Sequence, residues 1–287
     1  MVAGKTPGQT SDLTRRPVRS HGMVAVQERT ISVWENKIKP KVQVAGSGPP
    51  VVFLHGAYGL TWDPFLDELA RNFTVYAPEH PGTTWGDPDG IKPLDNLWDL
   101  VLYYDEVFDQ LGLQNPAVVG HSFGGMVAAE IAASYPHRVG QLVLLCPIGL
   151  WRDDAPVKNW MIMPPEDVIK AVFHDPTGPL AQQMLAIPED EKAQQDAQIR
   201  TTWALACTGR FIWPIPDKGL KKRIHRITSS TLLVWGKSDK LVPPVYAQEF
   251  ASRIKNSRIA MIDQAGHVPQ LEQLGEVSTL VRDFLKS

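Results

Sequence analysis

The sequence predicts an α/β protein: a mostly parallel, doubly wound sheet that carries one helical insertion. Short, uninterrupted apolar runs such as residues 51–54 and 231–235 are typical of parallel strands, which are buried on both faces. Stretches in which apolar residues recur at helical spacing, such as residues 94–113, alternate with these runs. The alternation stops between residues 150 and 229 and then resumes, so this segment is predicted to be an insertion into one sheet.

The length of 287 residues fits one large domain with an insertion better than two independent domains. We predict a core formed by residues 23–149 and 230–287, and a helical cap, or lid, formed by residues 150–229. Residues 1–22 are polar, contain several arginines and show no apolar period, which predicts a flexible N-terminal tail.

Charge and cysteine content limit the partners and the compartment. The formal net charge is −2 with acidic and basic residues interspersed, so neither nucleic acid nor an anionic membrane is expected as a partner. Cys146 and Cys207 lie far apart and lack metal-ligand spacing, which favours buried free thiols over a disulfide. No apolar run reaches the length of a membrane span, and no hydrophobic stretch follows the N-terminal basic residues. We therefore expect a soluble, cytoplasmic protein.

The elements can be taken in chain order. Alternating apolar residues within 24–33 and 41–44 predict strands, and the apolar run at 51–54 predicts a buried strand. Residues 73–77 predict another strand, and residues 94–113 predict an amphipathic helix. Further along the chain, the predicted elements are a strand at 139–148, cap helices near 165–173, 179–186 and 189–206, a strand at 231–235, a helix at 244–254, a strand at 258–262 and a final helix at 271–285.

Residues 117–126 combine a Val-rich apolar run, the sequence Gly-His-Ser-Phe-Gly and the start of an alanine-rich helix. A serine at the apex of such a strand–turn–helix is held in a strained backbone conformation. Its neighbours two positions away must be very small, because strand and helix pass closely, and Gly120 and Gly124 meet that requirement around Ser122. The segment therefore matches the G-x-S-x-G nucleophile elbow in the strand–turn–helix context that this motif requires.

A serine hydroxyl is a poor nucleophile at neutral pH. It needs a nearby base, and the base needs a carboxylate to fix its tautomer and balance its charge. Two strand-end loops offer these groups, because Asp239 follows the strand at 231–235 and His267 follows the strand at 258–262. The carboxyl ends of parallel strands meet at one edge of a sheet, so both side chains are expected near Ser122. The order Ser, Asp, His accompanies an elbow of this kind.

Other histidines and aspartates are weaker candidates. His121 adjoins the serine, but successive side chains near the elbow diverge. His55 is expected to be structural, packed or hydrogen bonded beneath the loop that follows the strand at 51–54. Asp153 and Asp154, which follow the strand before the insertion, are the best rival acids.

The sequence resembles the α/β-hydrolase family, in its lidded serine esterase branch. The matching motifs are His55-Gly56-Ala57-Tyr58-Gly59, Gly120-His121-Ser122-Phe123-Gly124-Gly125, Gly236-Lys237-Ser238-Asp239 and Gly266-His267. The resemblance extends from about residue 23 to the C-terminus and implies the α/β-hydrolase fold with a helical lid insertion. It also implies a set of roles: Ser122 as nucleophile, His267 as general base and then acid, Asp239 as the residue that orients it, and the backbone N–H groups of Ala57 and Phe123 as the oxyanion hole.

The function expected from these features is that of a carboxylesterase, which cleaves a moderately lipophilic acyl ester through an acyl-enzyme on Ser122. Aromatic residues concentrate in the predicted cap, and some should line a pocket because a lid turns its apolar underside to the site. The residues expected to contact the small-molecule acyl substrate are Tyr58, His121, Trp151, Trp203 and Val268. There is no phosphate-cradling glycine motif or cluster of metal ligands in the sequence, so neither a cofactor nor a metal is expected.

Two alternatives remain open, because fold alone does not choose a reaction. One is hydrolysis of a carbon–carbon bond in a ring-fission diketone. Relatives of that kind typically carry Asn before the nucleophile and Trp after the base, where this chain has His121 and Val268. Arg200 or Arg210 in the cap could still pair with a substrate carboxylate. The other alternative is a ligand-binding protein that retains the triad and turns over very little.

Overall fold

The computed structural model describes residues 24–83 and 87–287, and the predicted tail at residues 1–22 lies outside this part of the chain. Within the described residues, eight strands form a single sheet. The strands are β1 (Gln27–Thr30), β2 (Lys41–Ala45), β3 (Pro50–Leu54), β4 (Thr74–Pro78), β5 (Ala117–His121), β6 (Gln141–Leu145), β7 (Ser230–Gly236) and β8 (Ser257–Ile262).

The strand order across the sheet is β1-β2-β4-β3-β5-β6-β7-β8. Strand β2 is antiparallel to both β1 and β4, whereas every other neighbouring pair is parallel. The predicted α/β class with a mostly parallel sheet is therefore confirmed. The carboxyl ends of β3, β5, β6, β7 and β8 lie at one edge, which is where a parallel sheet carries its functional loops.

Helices pack on both faces of this sheet. They are α1 (Pro64–Ala70), α2 (Leu97–Gln110), α3 (Phe123–Ser134), α4 (Pro165–Val172), α5 (Pro179–Leu185), α6 (Glu191–Ile212), α7 (Val245–Ala251), α8 (Pro269–Glu272) and α9 (Leu274–Leu285). Side chains of β3 alternate between two buried apolar clusters: Val52 and Leu54 join the one that includes α2 and α3, and Val51 and Phe53 join the one that includes α1 and α9. The sheet is therefore covered on both faces, as a doubly wound fold requires.

Several predicted boundaries differ from the structure. Within residues 24–33 the structure has only the short strand β1, whose four residues are exposed and lie between the apolar residues that predicted strands. The chain then turns at residues 34–36, which all have positive φ angles. The helix predicted from residue 94 begins at Leu97, because the side chain of Asn96 accepts hydrogen bonds from the first free N–H groups of the helix. Neither difference moves the strand ends that carry the candidate site.

Between β6 and β7 the chain leaves the sheet and forms α4, α5 and α6. Helix α6 extends past the predicted end at residue 206 and stops just before Pro214, since a proline disfavours helical geometry in the residue that precedes it. Its first half is exposed, whereas Cys207, Phe211 and Ile212 in its second half are buried. The second half of α6 therefore packs on the body of the protein.

Two further observations bear on the sequence analysis. Both cysteines, Cys146 and Cys207, are free and buried. In the described part of the chain, every helix is too short or too polar to span a lipid bilayer.

Candidate active site

The turn between β5 and α3 has the geometry that the motif requires. Ser122 sits at its apex with φ 54° and ψ −113°, a left-handed conformation that is strained for a residue with a side chain. A Cβ atom on Gly120 would lie 2.5 Å from the carbonyl oxygen of Gly124, and one on Gly124 would lie 2.0 Å from that of Leu54. Only glycine fits at either position, so the two glycines are what allows the strand and the helix to pass this closely.

Ser122, His267 and Asp239 form a continuous hydrogen-bonded chain. Nε2 of His267 lies 2.9 Å from Oγ of Ser122, and Nδ1 of His267 lies 2.8 Å from Oδ2 of Asp239. All three side chains are buried. Because a carboxylate accepts at Nδ1, the imidazole carries its proton there and presents Nε2 as an acceptor for the hydroxyl of Ser122. The structure thus brings together the three residues that the sequence singled out.

The loop after β7 holds Asp239 in a fixed orientation. Its other carboxylate oxygen, Oδ1, accepts hydrogen bonds from the N–H groups of Leu241 and Val242, each 2.9 Å away. The loops after β7 and β8 also touch, since a Cβ on Gly236 would lie 2.0 Å from the carbonyl oxygen of Gly266. These two hydrogen bonds from backbone N–H groups fix the orientation of the carboxylate, so Oδ2 faces Nδ1 of His267.

The rival acids are engaged elsewhere. Asp153 accepts a hydrogen bond from the indole of Trp151, and Asp154 pairs with Arg152 at 2.6 Å. Neither carboxylate is bonded to His267, whose Nδ1 is used by Asp239. The structure therefore places Asp239 where the sequence analysis expected the orienting carboxylate.

The backbone N–H groups of Ala57 and Phe123 lie at the two segments that flank the serine. Phe123 is the first residue of α3, so its N–H has no acceptor within the helix and lies at the positive end of the helix dipole. Among the described residues, neither N–H is hydrogen bonded to an acceptor. The carbonyl oxygen of Ala57 accepts a hydrogen bond from Oγ1 of Thr208, 3.2 Å away, which ties this loop to α6.

His121 turns toward the backbone of the predicted base. Its Nε2 donates to the carbonyl oxygen of His267 at 2.8 Å, and the two rings lie 5.2 Å apart. Burial, with a smaller contribution from His267, lowers the pKa of His121 to about 3. The ring is therefore neutral near pH 7, and its donor nitrogen is used by the protein's own main chain.

His55 and His80 form a buried network beneath the same loop. Nε2 of His55 accepts a hydrogen bond from the N–H of His80, and Nε2 of His80 donates to the carbonyl oxygen of His55. The hydroxyl of Tyr104 donates to Nδ1 of His80 at 2.5 Å. Burial lowers the pKa of His80 to about 4 and that of His55 well below its usual range. Both rings are neutral and fully engaged, which agrees with the expectation that His55 is structural.

Helix α6 contacts the segments that flank the serine. The ring of Phe211 stacks on that of Phe123, with centroids 6.4 Å apart. Trp203 is 40% exposed, and its indole N–H donates to the carbonyl oxygen of Gly82 at 2.6 Å. Tyr58 is 44% exposed on the loop after β3. Of these aromatic side chains, Phe211 contacts the residue that directly follows Ser122.

The remaining predicted substrate contacts have different surroundings. Val268 is buried directly after His267. Trp151 lines a small cavity of about 40 Å³ together with Trp160 and Trp213, and none of the residues that line this cavity belongs to the hydrogen-bonded chain of Ser122. Trp151 thus packs within the segment between β6 and β7, and its indole is already bonded to Asp153.

A thiol lies beside the chain of hydrogen bonds. Ligand atoms of Cys146, Asp239 and His267 all lie within 4.8 Å of one another, which is a spacing that a metal ion could bridge. Burial and the neighbouring Asp239 raise the pKa of the Cys146 thiol well above its usual range. A metal ligand must be a thiolate, so this donor set fits a protonated thiol beside the carboxylate better than a metal centre.

Glu272 and the end of α4 also contact the His267 loop, and neither was predicted from the sequence. The carboxylate of Glu272 accepts hydrogen bonds from the N–H groups of Gly266 and His174, at 2.6 and 2.7 Å. The carbonyl oxygen of Val172 accepts from the N–H of His267 at 2.6 Å. No sequence motif includes these residues. The one feature that could have indicated a role for Glu272 is its position on the helix that follows the His267 loop.

Comparisons with known proteins agree with this architecture. Residues 51–279 match the model of the alpha/beta hydrolase family. Among curated proteins, 2-hydroxy-6-oxo-6-phenylhexa-2,4-dienoate hydrolase of Comamonas testosteroni is 25% identical over 268 residues, which cover 84% of this chain and 89% of that protein.

Solved structures share the fold. The 2-hydroxy-6-oxo-6-phenylhexa-2,4-dienoate hydrolase from Rhodococcus sp. strain RHA1 superposes with a TM-score of 0.71 at 19% identity, covering 92% of this chain and 100% of that one. Naproxen esterase from Bacillus subtilis superposes with a TM-score of 0.69 at 21% identity, covering 91% and 92%. Because the family model matches most of the length of this chain, the chain belongs to the alpha/beta hydrolase family.

Proposed function

We propose that this protein is a serine hydrolase that cleaves a moderately lipophilic carboxylic ester, with Ser122 as nucleophile, His267 as general base and acid, and Asp239 as the orienting carboxylate. The observation that carries the proposal is the unbroken chain of hydrogen bonds from the hydroxyl of Ser122 to the carboxylate of Asp239. Although Ser122 stands at the start of α3, its side chain makes no capping hydrogen bond to that helix. Within the described part of the chain, His267 is therefore the one hydrogen-bond partner of this hydroxyl.

In the first half of the reaction, Oγ of Ser122 attacks the carbonyl carbon of the ester while its proton passes to Nε2 of His267. The negative charge that develops on the carbonyl oxygen is stabilised by the N–H groups of Phe123 and Ala57, and one such donor is worth about 100- to 1000-fold in rate. The tetrahedral intermediate collapses when His267 returns the proton to the leaving alkoxide. An alcohol departs and the acyl group remains on Ser122.

In the second half, water replaces the alcohol. His267 takes a proton from the water as it attacks the acyl carbonyl, and then gives that proton to Oγ of Ser122 as the carboxylic acid leaves. Asp239 stabilises the imidazolium that forms in each half, and it does not itself take the proton. The residues needed for both halves are thus the same, and the cycle ends with the free hydroxyl.

We also propose that the segment at residues 150–229 acts as a cap whose aromatic underside holds the acyl group. The stacking of Phe211 on Phe123 supports this, since Phe123 directly follows Ser122. The hydrogen bond from Trp203 to the carbonyl oxygen of Gly82 also holds α6 against a loop of the core. A binding surface formed by such aromatic side chains would favour an uncharged acyl compound over a charged one, because burying an unpaired charge costs free energy.

The positions of the Lys and Arg side chains favour an ester substrate over a dienone substrate that carries a carboxylate. In the described part of the chain, Arg138 is the only buried Lys or Arg, and it is paired with Asp105 and Asp109. The guanidinium of Arg210 is bonded to the carbonyl oxygen of Leu94 and to Asp95, so a substrate carboxylate would have to displace Asp95 to bind it.

A second candidate is hydrolysis of a carbon–carbon bond in a ring-fission product. It is favoured by the curated relatives, among which is also 2-hydroxymuconate semialdehyde hydrolase of Pseudomonas sp. strain CF600, 26% identical over 86% of this chain and 90% of that protein. The same nucleophile, base and oxyanion donors would serve that reaction. Its substrates carry a carboxylate, and exposed Arg200 on α6 is a candidate to bind it.

One substrate panel separates these functions. We would compare p-nitrophenyl esters of graded acyl length with a 2-hydroxy-6-oxo-dienoate, using the wild type, Ser122→Ala, and Ser252→Ala as a control at an exposed serine. Ester turnover that is lost in Ser122→Ala and kept in Ser252→Ala supports the proposal. Higher kcat/KM for the dienoate supports the second candidate. A single phosphonate label on Ser122 with no sustained turnover of either class would instead indicate a ligand-binding protein, and ester turnover retained in Ser122→Ala would contradict the proposed nucleophile.

A further inference from the structure

The end of cap helix α4 contacts both loops that carry the proposed base and its carboxylate. The carbonyl oxygen of Val172 accepts a hydrogen bond from the N–H of His267 at 2.6 Å, and that of Ala171 accepts from the N–H of Lys240 at 3.1 Å. Lys240 directly follows Asp239. One turn of a single helix is thus bonded to the main chain of each loop.

The His267 loop is packed tightly against this turn. A Cβ atom added to Gly266 would lie 2.1 Å from the carbonyl oxygen of Val172 and 3.1 Å from the N–H nitrogen of His174. A second contact joins the cap to the Asp239 loop, because Nδ1 of His174 lies 2.7 Å from Oγ of Ser238. The main chain at Gly266 and His267 is therefore confined by the residues that end α4.

Glu272 closes this arrangement from the other side. Oε2 of Glu272 accepts the N–H of Gly266 at 2.6 Å, and Oε1 accepts the N–H of His174 at 2.7 Å. Glu272 and His174 are 98 positions apart, so one carboxylate bridges the core and the cap. Hydrogen bonds from N–H groups to a carboxylate are among the stronger ones, and here both oxygens are used.

We propose that Glu272 is a positioning residue that fixes the imidazole of His267 by tying its loop to the end of α4. The inference rests on the proposed function, in which His267 transfers the proton. Gly266 immediately precedes His267. The N–H of Gly266 donates to Glu272 and the N–H of His267 donates to Val172, so two successive N–H groups of the loop are held. Loss of the carboxylate releases Gly266 and His174 together, and Nε2 of His267 then no longer stays 2.9 Å from the serine hydroxyl.

The local geometry argues against a role confined to helix α8. Glu272 is the last residue of that helix, yet its carboxylate bonds to neither end of it. Its two partners belong to the loop before α8 and to the segment after α4. A groove of about 610 Å³, lined by residues that include His174, Gln264 and Glu272, runs between these segments.

The experiment compares Glu272→Ala, Glu272→Gln and Glu276→Gln with the wild type. Glu276 is exposed in the first turn of α9 and serves as the matched control. Each protein is checked by circular dichroism. The readouts are kcat and KM for a p-nitrophenyl ester, the rate at which a fluorophosphonate labels Ser122, and exchange of the Gly266 and His174 amide protons measured by NMR.

We expect Glu272→Ala to lower kcat and the labelling rate by about tenfold to hundredfold, with KM within about twofold, because the proton acceptor is displaced while the binding surface is kept. The Gly266 and His174 amides should exchange faster. Glu272→Gln keeps one acceptor oxygen and should show a loss of about threefold to tenfold, while Glu276→Gln should match the wild type.

The labelling rates separate a failure of the inference about Glu272 from a failure of the proposed function. If the wild type is labelled at Ser122 and folded Glu272→Ala is labelled at the same rate, the inference is overturned and the proposed function stands. If the wild type is not labelled at all, the proposed function fails and the inference fails with it. Should Glu272→Ala not fold, Glu272→Gln decides: wild-type labelling and wild-type amide exchange in that variant overturn the inference.

Discussion

Nε2 of His121 donates a hydrogen bond to the carbonyl oxygen of His267 from 2.8 Å away, although the two residues are 146 positions apart. The residue next to the proposed nucleophile thereby holds the main chain of the proposed base. Because burial lowers the pKa of His121 to about 3, its ring is a neutral donor throughout the range in which an esterase is assayed. The contact therefore does not titrate with the reaction.

This contact predicts a modest effect for His121→Ala. Loss of one neutral hydrogen bond is worth about 1 kcal/mol, so we expect kcat to fall by about fivefold to tenfold with KM little changed. The acidic limb of the pH profile should stay where it is in the wild type, since the ring that is removed carries no charge there. Exposed His137→Ala serves as the control. A loss of more than about a thousandfold would mean that His121 is itself the base.

Asp239→Asn is expected to lower kcat by about ten-thousandfold, as loss of the orienting carboxylate does in the Ser-His-Asp template. The N–H groups of Leu241 and Val242 both point at Oδ1, so the amide oxygen of an asparagine will occupy that position. Its NH₂ group then faces Nδ1 of His267 and forces the proton onto Nε2, which is the wrong tautomer for accepting from the serine.

Steady-state kinetics with a p-nitrophenyl ester measures that loss. Asp263→Asn is a suitable control, because Asp263 is exposed in the loop after β8 and pairs with Lys237. If Asp239→Asn lost less than about tenfold, the orienting role would belong to another carboxylate, and Asp153 and Asp154 would be tested next.

The sheet and its functional edge could be predicted because local sequence determines them. Apolar runs at residues 51–54 and 231–235 specify buried strands. Gly120 and Gly124 indicate that strand β5 and helix α3 pass so closely that a Cβ atom would not fit. The topological rule that parallel strands end at one edge then brings Asp239 and His267 to the serine without any knowledge of distances.

The contacts between distant segments could not be predicted in the same way. Glu272 meets His174 only because α4 is folded back onto the loop after β8, and nothing in the sequence near either residue specifies that docking. The same holds for Trp151, whose apolar character is compatible both with a substrate pocket and with packing against Trp160 and Trp213. Residue type predicts burial, whereas the partner depends on tertiary packing.

Gly124→Ala should be severely destabilising, because its new Cβ would lie 2.0 Å from the main-chain oxygen of Leu54, which cannot move aside as a side chain could. We expect the free energy of unfolding to fall by about 3 kcal/mol or more. Gly275→Ala in α9 is the matched control, since a Cβ there meets nothing within 4 Å. That variant should gain about 0.5 kcal/mol from helix propensity. Urea unfolding of both variants provides the comparison, and equal stabilities would contradict the close approach at the turn.

Asp63, which lies outside the candidate active site, is predicted to make the stability of the fold depend on pH. Its side chain caps α1 by accepting the N–H of Leu66 at 3.0 Å. Burial, opposed by that bond, raises the pKa of Asp63 from 3.8 to about 6. The folded protein therefore binds a proton at Asp63 more readily than the unfolded chain does. This contribution to stability is complete below pH 3.8 and is lost as the pH rises through 6.

Asp63→Asn keeps the capping oxygen and removes the buried charge, because asparagine is as good a helix cap as aspartate. The variant should gain stability relative to the wild type as the pH rises from 4.5 to 7.5, by about 1 to 3 kcal/mol at the upper end. Glu276→Gln, at an exposed residue of α9, is the control for a general effect of removing one negative charge. Urea unfolding at several pH values measures the difference between the Asp63 variant and the wild type. A difference that stayed constant with pH, or that grew toward acid, would show that Asp63 ionises in the folded protein as it does in the unfolded chain.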